Sequence, residues 1–94
     1  MKKILLRLYV TGTTPRSVKA IEDVKQICSE ELASQIELEV IDVLEQPQLA
    51  EDEKIMATPT LIKELPVPVR RVIGDMAAKE KVLLGLDLIE VDDG

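Results

Sequence analysis

The chain has 94 residues, a formal net charge of −6 and 46% apolar residues, but a single aromatic side chain, Tyr9. This length predicts one domain, spanning residues 1–94, with a modest hydrophobic core. The acidic charge disfavours a phosphate-binding surface, and one aromatic ring is too few for a base-stacking platform. Nucleic acid is therefore not expected as a partner.

Cysteine and histidine usage excludes several kinds of site. Cys28 is the one cysteine of the sequence, and histidine is absent. No intramolecular disulfide, His/Cys metal cluster, Cys–His pair or Ser–His pair can be assembled from this composition. No apolar run approaches the roughly 20 residues of a membrane-spanning helix. We expect a cytoplasmic protein with no catalytic residues, no cofactor, no metal and no membrane partner.

The first half of the chain has the pattern of a β-α-β unit. An almost continuous apolar run over residues 4–10 predicts a central strand. Thr14 is suited to cap a helix that starts at Pro15 and ends near Ala33. Alternating apolar and acidic residues over positions 36–40 predict a second strand, parallel to the first and near a sheet edge. Spacing of three to four residues predicts the buried face of the helix: Val18, Ile21, Val24, Cys28 and Leu32.

The second half has more chain breaks and weaker patterns. Pro47 can open a short helix that stops before Thr58-Pro59, and residues 60–65 and 69–73 are predicted to form strands. Gly74-Asp75 predicts a turn in which Asp75 caps a final helix. The segment 79–91 matches the helical and the strand periods about equally, so periodicity leaves both open.

Two features bear on a redox function. Thioredoxin-like domains carry a threonine–proline step with a cis proline before a strand, and Thr58-Pro59 has that position, although a plain helix stop is the alternative. A thioredoxin would place Cys-x-x-Cys in the loop after the first strand, and the segment from Thr11 to Pro15 contains no thiol. Cys28 falls on the apolar helix face, which favours a core position over a nucleophile.

Several long stretches, in order, resemble the KaiB family and together cover nearly the whole chain. They are residues 40–50, 54–61, 65–75 and 80–88, preceded by Leu8-Tyr9-Val10 with Gly12, Thr14 and Pro15. The resemblance implies an α/β fold with the thioredoxin-like order β-α-β-α-β-β-α. It also implies a metamorphic protein whose alternative state is the KaiB tetramer fold, β-α-β-β-α-α-β, with the first half shared and the second half rebuilt.

The resemblance implies a non-catalytic regulator. After fold switching, family members bind the N-terminal ATPase ring of KaiC, a hexameric ATPase, and modulate its phosphorylation cycle in a circadian rhythm or a related timing or stress output. KaiA and a sensor-kinase output domain are the further partners of the family, and the inactive state is a homotetramer or dimer. By position, the partner contacts are Lys54, Arg70 and Arg71. The residues implied to set the fold balance are Pro59, Pro66, Pro68, Gly85 and Asp87.

Glycine inside a helix costs up to about 1 kcal/mol relative to alanine, so Gly85→Ala is expected to favour the helical, thioredoxin-like state. The chain departs from the family pattern at Glu39, where a basic residue is common, and at Val67, where many members have proline. It also ends at Asp92-Asp93-Gly94, without a longer acidic tail. These departures weaken the expectation of KaiA capture and of a daily rhythm, and leave the expected fold and KaiC binding in place.

Other interpretations stay open on the sequence alone. Arg70 and Arg71 can be ordinary solvated cations instead of a partner-binding patch in an acidic chain. The chain can also be a thioredoxin-like redox protein, although it lacks Cys-x-x-Cys. A third possibility is the sensory domain of a KaiC-reading histidine kinase, which shares the thioredoxin-like fold.

Overall fold

A computed structural model describes residues 3–31 and 36–88. Its elements confirm the predicted order β-α-β-α-β-β-α: β1 (Ile4–Val10), α1 (Pro15–Glu31), β2 (Ile36–Asp42), α2 (Pro47–Asp52), β3 (Thr60–Leu65), β4 (Arg70–Ile73) and α3 (Lys79–Gly85). The strands form one sheet in the order β2-β1-β3-β4. β1 pairs in parallel with β2 and antiparallel with β3, and β4 is antiparallel to β3.

The apolar run of β1 explains why this strand lies inside the sheet. Its side chains alternate between the two faces, and both faces are covered. Leu6 and Leu8 are buried in the main core with α1 and α3. On the opposite face, Tyr9 packs with Ile41 and Ile62 in a smaller core, against which residues of α2 and the segment after it pack.

The start of α1 matches the prediction. Pro15 is its first residue, and Thr14 Oγ1 accepts a hydrogen bond of 3.3 Å from the N–H of Ser17. The Ser17 hydroxyl also donates to the carbonyl oxygen of Thr11 at 3.1 Å and accepts from the Thr11 N–H at the same distance. These bonds allow a serine side chain to be buried at the first turn of the helix.

The buried face of α1 is rotated from the predicted one. Val24 and Cys28 are buried as predicted and Ile21 is partly buried, but Val18 is 44% exposed. The remaining buried positions belong to Ser17, Ala20 and Ile27. The prediction was wrong at Val18 because hydrogen bonding buries the neighbouring serine, which an apolar pattern does not register. Leu32 and Ala33 lie outside the described residues.

The second half follows the predicted elements with shifted bounds. α2 begins at Pro47 as predicted but ends at Asp52, well before the predicted stop at Thr58-Pro59. β3 spans the predicted residues, whereas β4 begins one residue later than predicted. The segment that matched two periods is helical over Lys79–Gly85, with Val82, Leu83 and Leu86 buried against the sheet. Asp75 does not cap this helix: its Oδ1 accepts the N–H of Ala77 at 2.9 Å, and the N-cap position belongs to Ala78.

The two edges of the sheet differ in charge. On β2, Glu39 lies directly opposite Arg7 of β1, and Arg7 Nε is 3.3 Å from its carboxylate. On β4, Arg70 and Arg71 are exposed. Within residues 3–31 and 36–88, no helix has the length and hydropathy needed to cross a bilayer.

Candidate partner-binding site

The end of α2 presents Lys54 in an unusual backbone conformation. The N–H of Lys54 donates to the carbonyl oxygen of Glu51 at 3.1 Å, and the N–H of Ile55 donates to that of Ala50 at 2.9 Å. This pair of bonds is a Schellman motif, and Lys54 takes its left-handed position with φ of +55°. Glycine fits that position without steric cost, whereas other residues lose roughly 1 kcal/mol. A strained lysine is therefore a candidate for a functional side chain.

Arg71 links the end of α2 to β4 through two hydrogen bonds. Its guanidinium donates to the carbonyl oxygen of Glu53 at 3.0 Å and to that of Lys54 at 3.4 Å. Lys54 and Arg71 are both exposed. The structure therefore brings together two of the three predicted contact residues, although they lie on different elements.

Arg70 belongs to the other face of β4. Arg71 pairs with Ile62, which is in the small core near α2, whereas Arg70 pairs with Lys63. Lys63 in turn pairs with Leu6, on the face covered by α1 and α3. Successive residues of a strand point to opposite faces, so Arg70 cannot share one flat patch with Lys54 and Arg71.

An open groove with a volume of about 720 Å³ begins beside Lys54. Its lining is mostly apolar, and Met56, one of the lining residues, is 90% exposed. Sequence reasoning did not find this groove, because its walls come from three separate segments. The lining residues are Thr11, Val43, Pro47, Ala50, Glu51, Lys54, Ile55, Met56, Ala57 and Thr58.

Two threonines meet at the wall of this groove. The hydroxyl oxygens of Thr11 and Thr58 are 2.6 Å apart. Thr58-Pro59 is a cis peptide bond, as predicted, and the bonds before Pro66 and Pro68 are cis as well. Thr11 is the first residue of the loop after β1, where a thioredoxin would carry its thiols. In this chain the groove has threonine hydroxyl groups there instead. The missing Cys-x-x-Cys was the sequence signal that pointed to this loop.

Cys28 is a core residue, as predicted. It lies on the buried face of α1, in the main core, and burial raises the pKa of its thiol. Such a thiol carries little thiolate at neutral pH and is a poor nucleophile. In the described part of the chain, no group of three or more carboxylate and thiol side chains is placed to hold a metal ion.

The predicted fold-balance residues lie at the end of α3 and in the turns around β3. Pro59 is buried before β3, and Pro66 and Pro68 lie in the connection to β4. Gly85 is the last residue of α3. Asp87 follows it with φ of +59°, in a second Schellman motif.

The second motif has the same pair of hydrogen bonds as the first. The N–H of Asp87 donates to Leu84 O at 3.0 Å, and the N–H of Leu88 donates to Leu83 O at 2.9 Å. Lys54 and Asp87 are the non-glycine residues with positive φ among those the structure describes. Two helices of this fold therefore end on a residue that would be less strained as glycine.

Comparisons with known proteins agree with the resemblance seen in the sequence. Residues 7–88 match the KaiB domain family. The chain is 61% identical over 89 residues to circadian clock protein KaiB3 of Synechocystis sp., covering 95% of this chain and 87% of the relative. It is 57% identical over 88 residues to circadian clock oscillator protein KaiB of Synechococcus elongatus, covering 94% and 86%.

Solved structures place the fold among thioredoxin-like domains. The N-terminal domain of Synechococcus elongatus SasA matches with a TM-score of 0.76 and 32% identity, covering 97% of this chain and 90% of that one. Mitochondrial thioredoxin 3 of Saccharomyces cerevisiae matches with a TM-score of 0.72 and 14% identity over 95% of this chain and 81% of its own, which shows the fold alone. From the family match and the close relatives, the chain belongs to the KaiB family, whose named relatives here are circadian clock proteins.

Proposed function

We propose that this chain is a non-catalytic clock regulator that binds the N-terminal ATPase ring of KaiC in the thioredoxin-like fold described above. The observation that carries the proposal is the family match over residues 7–88, supported by the clock function named for its close relatives. KaiA and a sensor-kinase output domain are secondary candidates for the same assembly.

The proposed contact surface is centred on Lys54 and Arg71. The Schellman motif and the two bonds from Arg71 hold the backbone of Lys54, so less freedom is lost when its ammonium group meets a partner. The chain carries a net charge of −6, and a local pair of cations would orient it towards an acidic partner surface. Arg70 would contribute from the opposite face of β4, along the exposed edge.

A second fold state is part of the proposal. The segment after residue 79 matches strand and helix patterns equally well, and α3 holds seven residues between Ala78 and a strained Asp87. Such an element has little stability of its own, because helices of this length depend on packing. If the free chain also populates the tetramer fold, KaiC binding to the thioredoxin-like state shifts the population towards it, and the apparent affinity falls with the fraction that is competent to bind.

Size-exclusion chromatography with light scattering tests the proposal. The chain is measured alone and after incubation with KaiC and ATP or ADP. A tetramer that is slowly converted into a KaiC complex is expected, and a monomer that binds at once would place the free chain in the thioredoxin-like state. If no complex forms with any nucleotide, the assigned function is wrong and the family fold stands.

The SasA likeness supports a second candidate. The N-terminal domain of SasA shares the fold at 32% identity, so this chain can be considered as a sensory domain of a KaiC-reading kinase. The higher identity to KaiB proteins favours the regulator. Sequencing the gene beyond residue 94 distinguishes the two, since a continuous kinase reading frame would support the sensory domain.

A further inference from the structure

We propose that Arg7 of β1 and Glu64 of β3 form an ion-pair lock, which holds β3 against β1 and favours the thioredoxin-like packing over the tetramer fold. The lock rests on the proposed function in one respect, because the tetramer fold is the second state proposed there. Its basis is a group of side chains on the face of the sheet that carries the small core. We call this group the Arg7 cluster: Arg7, Tyr9, Glu39 and Glu64.

Arg7 lies between carboxylates from the two neighbouring strands. Its Nε is 3.3 Å from Oε2 of Glu39 on β2, and its Nη1 is 3.9 Å from Oε1 of Glu64 on β3. The side chain of Arg7 is 29% exposed and that of Glu64 is 22% exposed, so solvent screens this pair less than it screens a pair on an open surface. One arginine therefore connects three strands of the sheet.

Glu64 reaches Arg7 from an irregular position in β3. Successive residues of β1 pair there with residues of β3 that are two apart, which makes Glu64 the extra residue of a β-bulge. The pairs on either side of it are Leu6 with Lys63 and Leu5 with Leu65. A bulge redirects the side chain that it carries and helps to fix the register of the two strands. The contact between Arg7 and Glu64 is therefore specific to this pairing of β3 with β1.

The Arg7 cluster is only partly satisfied by hydrogen bonds. Within residues 3–31 and 36–88, three of its side-chain atoms are buried without a hydrogen-bond partner: Arg7 Nε, Glu64 Oε1 and Tyr9 Oη. Tyr9 is fully buried and lies two residues from Arg7, on the same face of β1. Buried polar groups without such bonds destabilise the packing that buries them. The attraction between the charges of Arg7 and Glu64 offsets this effect, and removal of one charge leaves the other uncompensated.

The two carboxylates beside Arg7 belong to different halves of the chain. The second fold state proposed above keeps the first half, with β1 and β2, and rebuilds the second half, with β3. Arg7 and Glu39 are direct partners in the ladder between β1 and β2, so their contact is expected in both states. The contact between Arg7 and Glu64 requires β3 beside β1, so it is expected in the thioredoxin-like state alone. Glu39 is therefore a matched control for Glu64.

The first test measures the ion pair within the thioredoxin-like state. Urea unfolding of the monomeric state gives the unfolding equilibrium constants of wild type, Arg7→Gln, Glu64→Gln and the double variant. The product of the two single effects is expected to exceed the effect of the double variant at least about fivefold, because the double variant loses the same pair only once. The contact between Arg7 and Glu39 cancels in this cycle. A product equal to the double effect would show that the two charges do not interact, and would overturn the lock.

The second test measures the balance between the two folds. Glu64→Gln and Glu39→Gln each remove one negative charge, and circular dichroism checks that both variants are folded. Size-exclusion chromatography with light scattering is performed at a protein concentration at which wild type contains monomer and tetramer. Glu64→Gln is expected to lower the ratio of monomer to tetramer at least about tenfold, and Glu39→Gln to change it less than about threefold. Equal changes in both variants would overturn the lock, as would a ratio that Glu64→Gln leaves unchanged.

The two tests separate the lock from the proposed function. Coupling in the first test and a selective shift by Glu64→Gln support the lock even in a chain that forms no complex with KaiC, whose absence removes only the assigned partner. A chain that binds KaiC but shows neither coupling nor a selective shift loses the lock and keeps the regulator function. A chain that stays monomeric in wild type and in Glu64→Gln overturns the lock's influence on the fold together with the second fold state.

Discussion

A Cβ atom added at Gly85 would lie 2.6 Å from Cγ2 of Val72, much closer than van der Waals contact allows. Glycine at the end of α3 therefore lets this helix approach β4. Helix propensity alone favours alanine by up to about 1 kcal/mol, whereas overpacking costs about 1–3 kcal/mol. We expect Gly85→Ala to give no net stabilisation of the thioredoxin-like state, although the low helix propensity of glycine predicts the opposite outcome.

Without the Val72 methyl groups, alanine at position 85 should stabilise α3 through its higher helix propensity. In a cycle of wild type, Gly85→Ala, Val72→Ala and the double variant, we expect a favourable coupling of about 1–2 kcal/mol between the two substitutions. Urea unfolding of the monomeric state measures the four free energies. Additive effects would show that the helix end moves away from β4 without cost, and the steric explanation would then fail.

Asp87 should be replaceable by glycine with a gain in stability. Its φ of +59° is strained for aspartate and free of strain for glycine, so Asp87→Gly is expected to stabilise the thioredoxin-like state by about 0.5–1 kcal/mol. Asp87→Asn removes the charge but keeps a side chain that tolerates this conformation, and serves as the control. An equal gain in both variants would assign the effect to charge and not to the backbone.

Lys54 should show opposite effects on stability and binding. Lys54→Gly relieves the same kind of strain, so we expect a free energy of unfolding higher by about 0.5–1 kcal/mol together with weaker KaiC binding. Lys25→Gln, at an exposed position of α1, controls for loss of one positive charge. A Lys54→Gly variant that is more stable and binds KaiC normally would reduce Lys54 to a helix-capping residue.

Arg71 and Arg70 should differ although they are adjacent. Arg71 donates two hydrogen bonds to the end of α2, so Arg71→Ala is expected to cost about 1 kcal/mol and to loosen Lys54, whereas Arg70→Ala should change stability by less than about 0.5 kcal/mol. Thermal unfolding measures the loss of stability in each variant. Hydrogen exchange of the Ile55 amide measures how far the chain at Lys54 is loosened. Similar exchange in both variants would argue against the anchoring role.

Cys28 should give stability a dependence on alkaline pH. Burial raises the pKa of the thiol in the folded state, so the neutral thiol contributes to the free energy of unfolding. This contribution is complete below the pKa of the unfolded thiol, about 8.5, and is lost as the pH rises through the higher folded value. The urea midpoint should fall more steeply between about pH 8 and pH 10 in wild type than in Cys28→Ala. Native alkylation at pH 8 should be much slower than alkylation in urea, and comparable rates would mean that the thiol is accessible.

The arrangement of elements was predictable because local signals were strong and mutually consistent. The apolar run of residues 4–10 and the Thr14-Pro15 start each specify a boundary by local chemistry. The predicted stop of α2 at Thr58-Pro59 was wrong, because the helix ends at Asp52 in a Schellman motif. The secondary structure of residues 79–85 was not predictable from periodicity, since burial of Val82, Leu83 and Leu86 depends on contacts with distant parts of the chain. Tertiary packing decides between helix and strand there.

The candidate site was predictable only in part. Cationic side chains stand out in an acidic sequence, but strand alternation places Arg70 and Arg71 on opposite faces, and only Arg71 reaches the end of α2. The groove depends on three segments, at Thr11, at Val43 and over residues 47–58. Proximity between such segments follows from the sheet order, which the sequence pattern left open.

The position of β1 has a consequence for any rearrangement of the second half. β1 is joined on one side to β2, which follows it through α1, and on the other side to β3, which comes after residue 59. A packing in which β3 leaves this place would uncover the main-chain N–H and C=O groups through which β1 pairs with β3, in a strand whose side chains are mostly buried. Those groups would require a new partner strand. If that strand came from another molecule, the balance between packings would depend on protein concentration, and dilution would favour the fold described here.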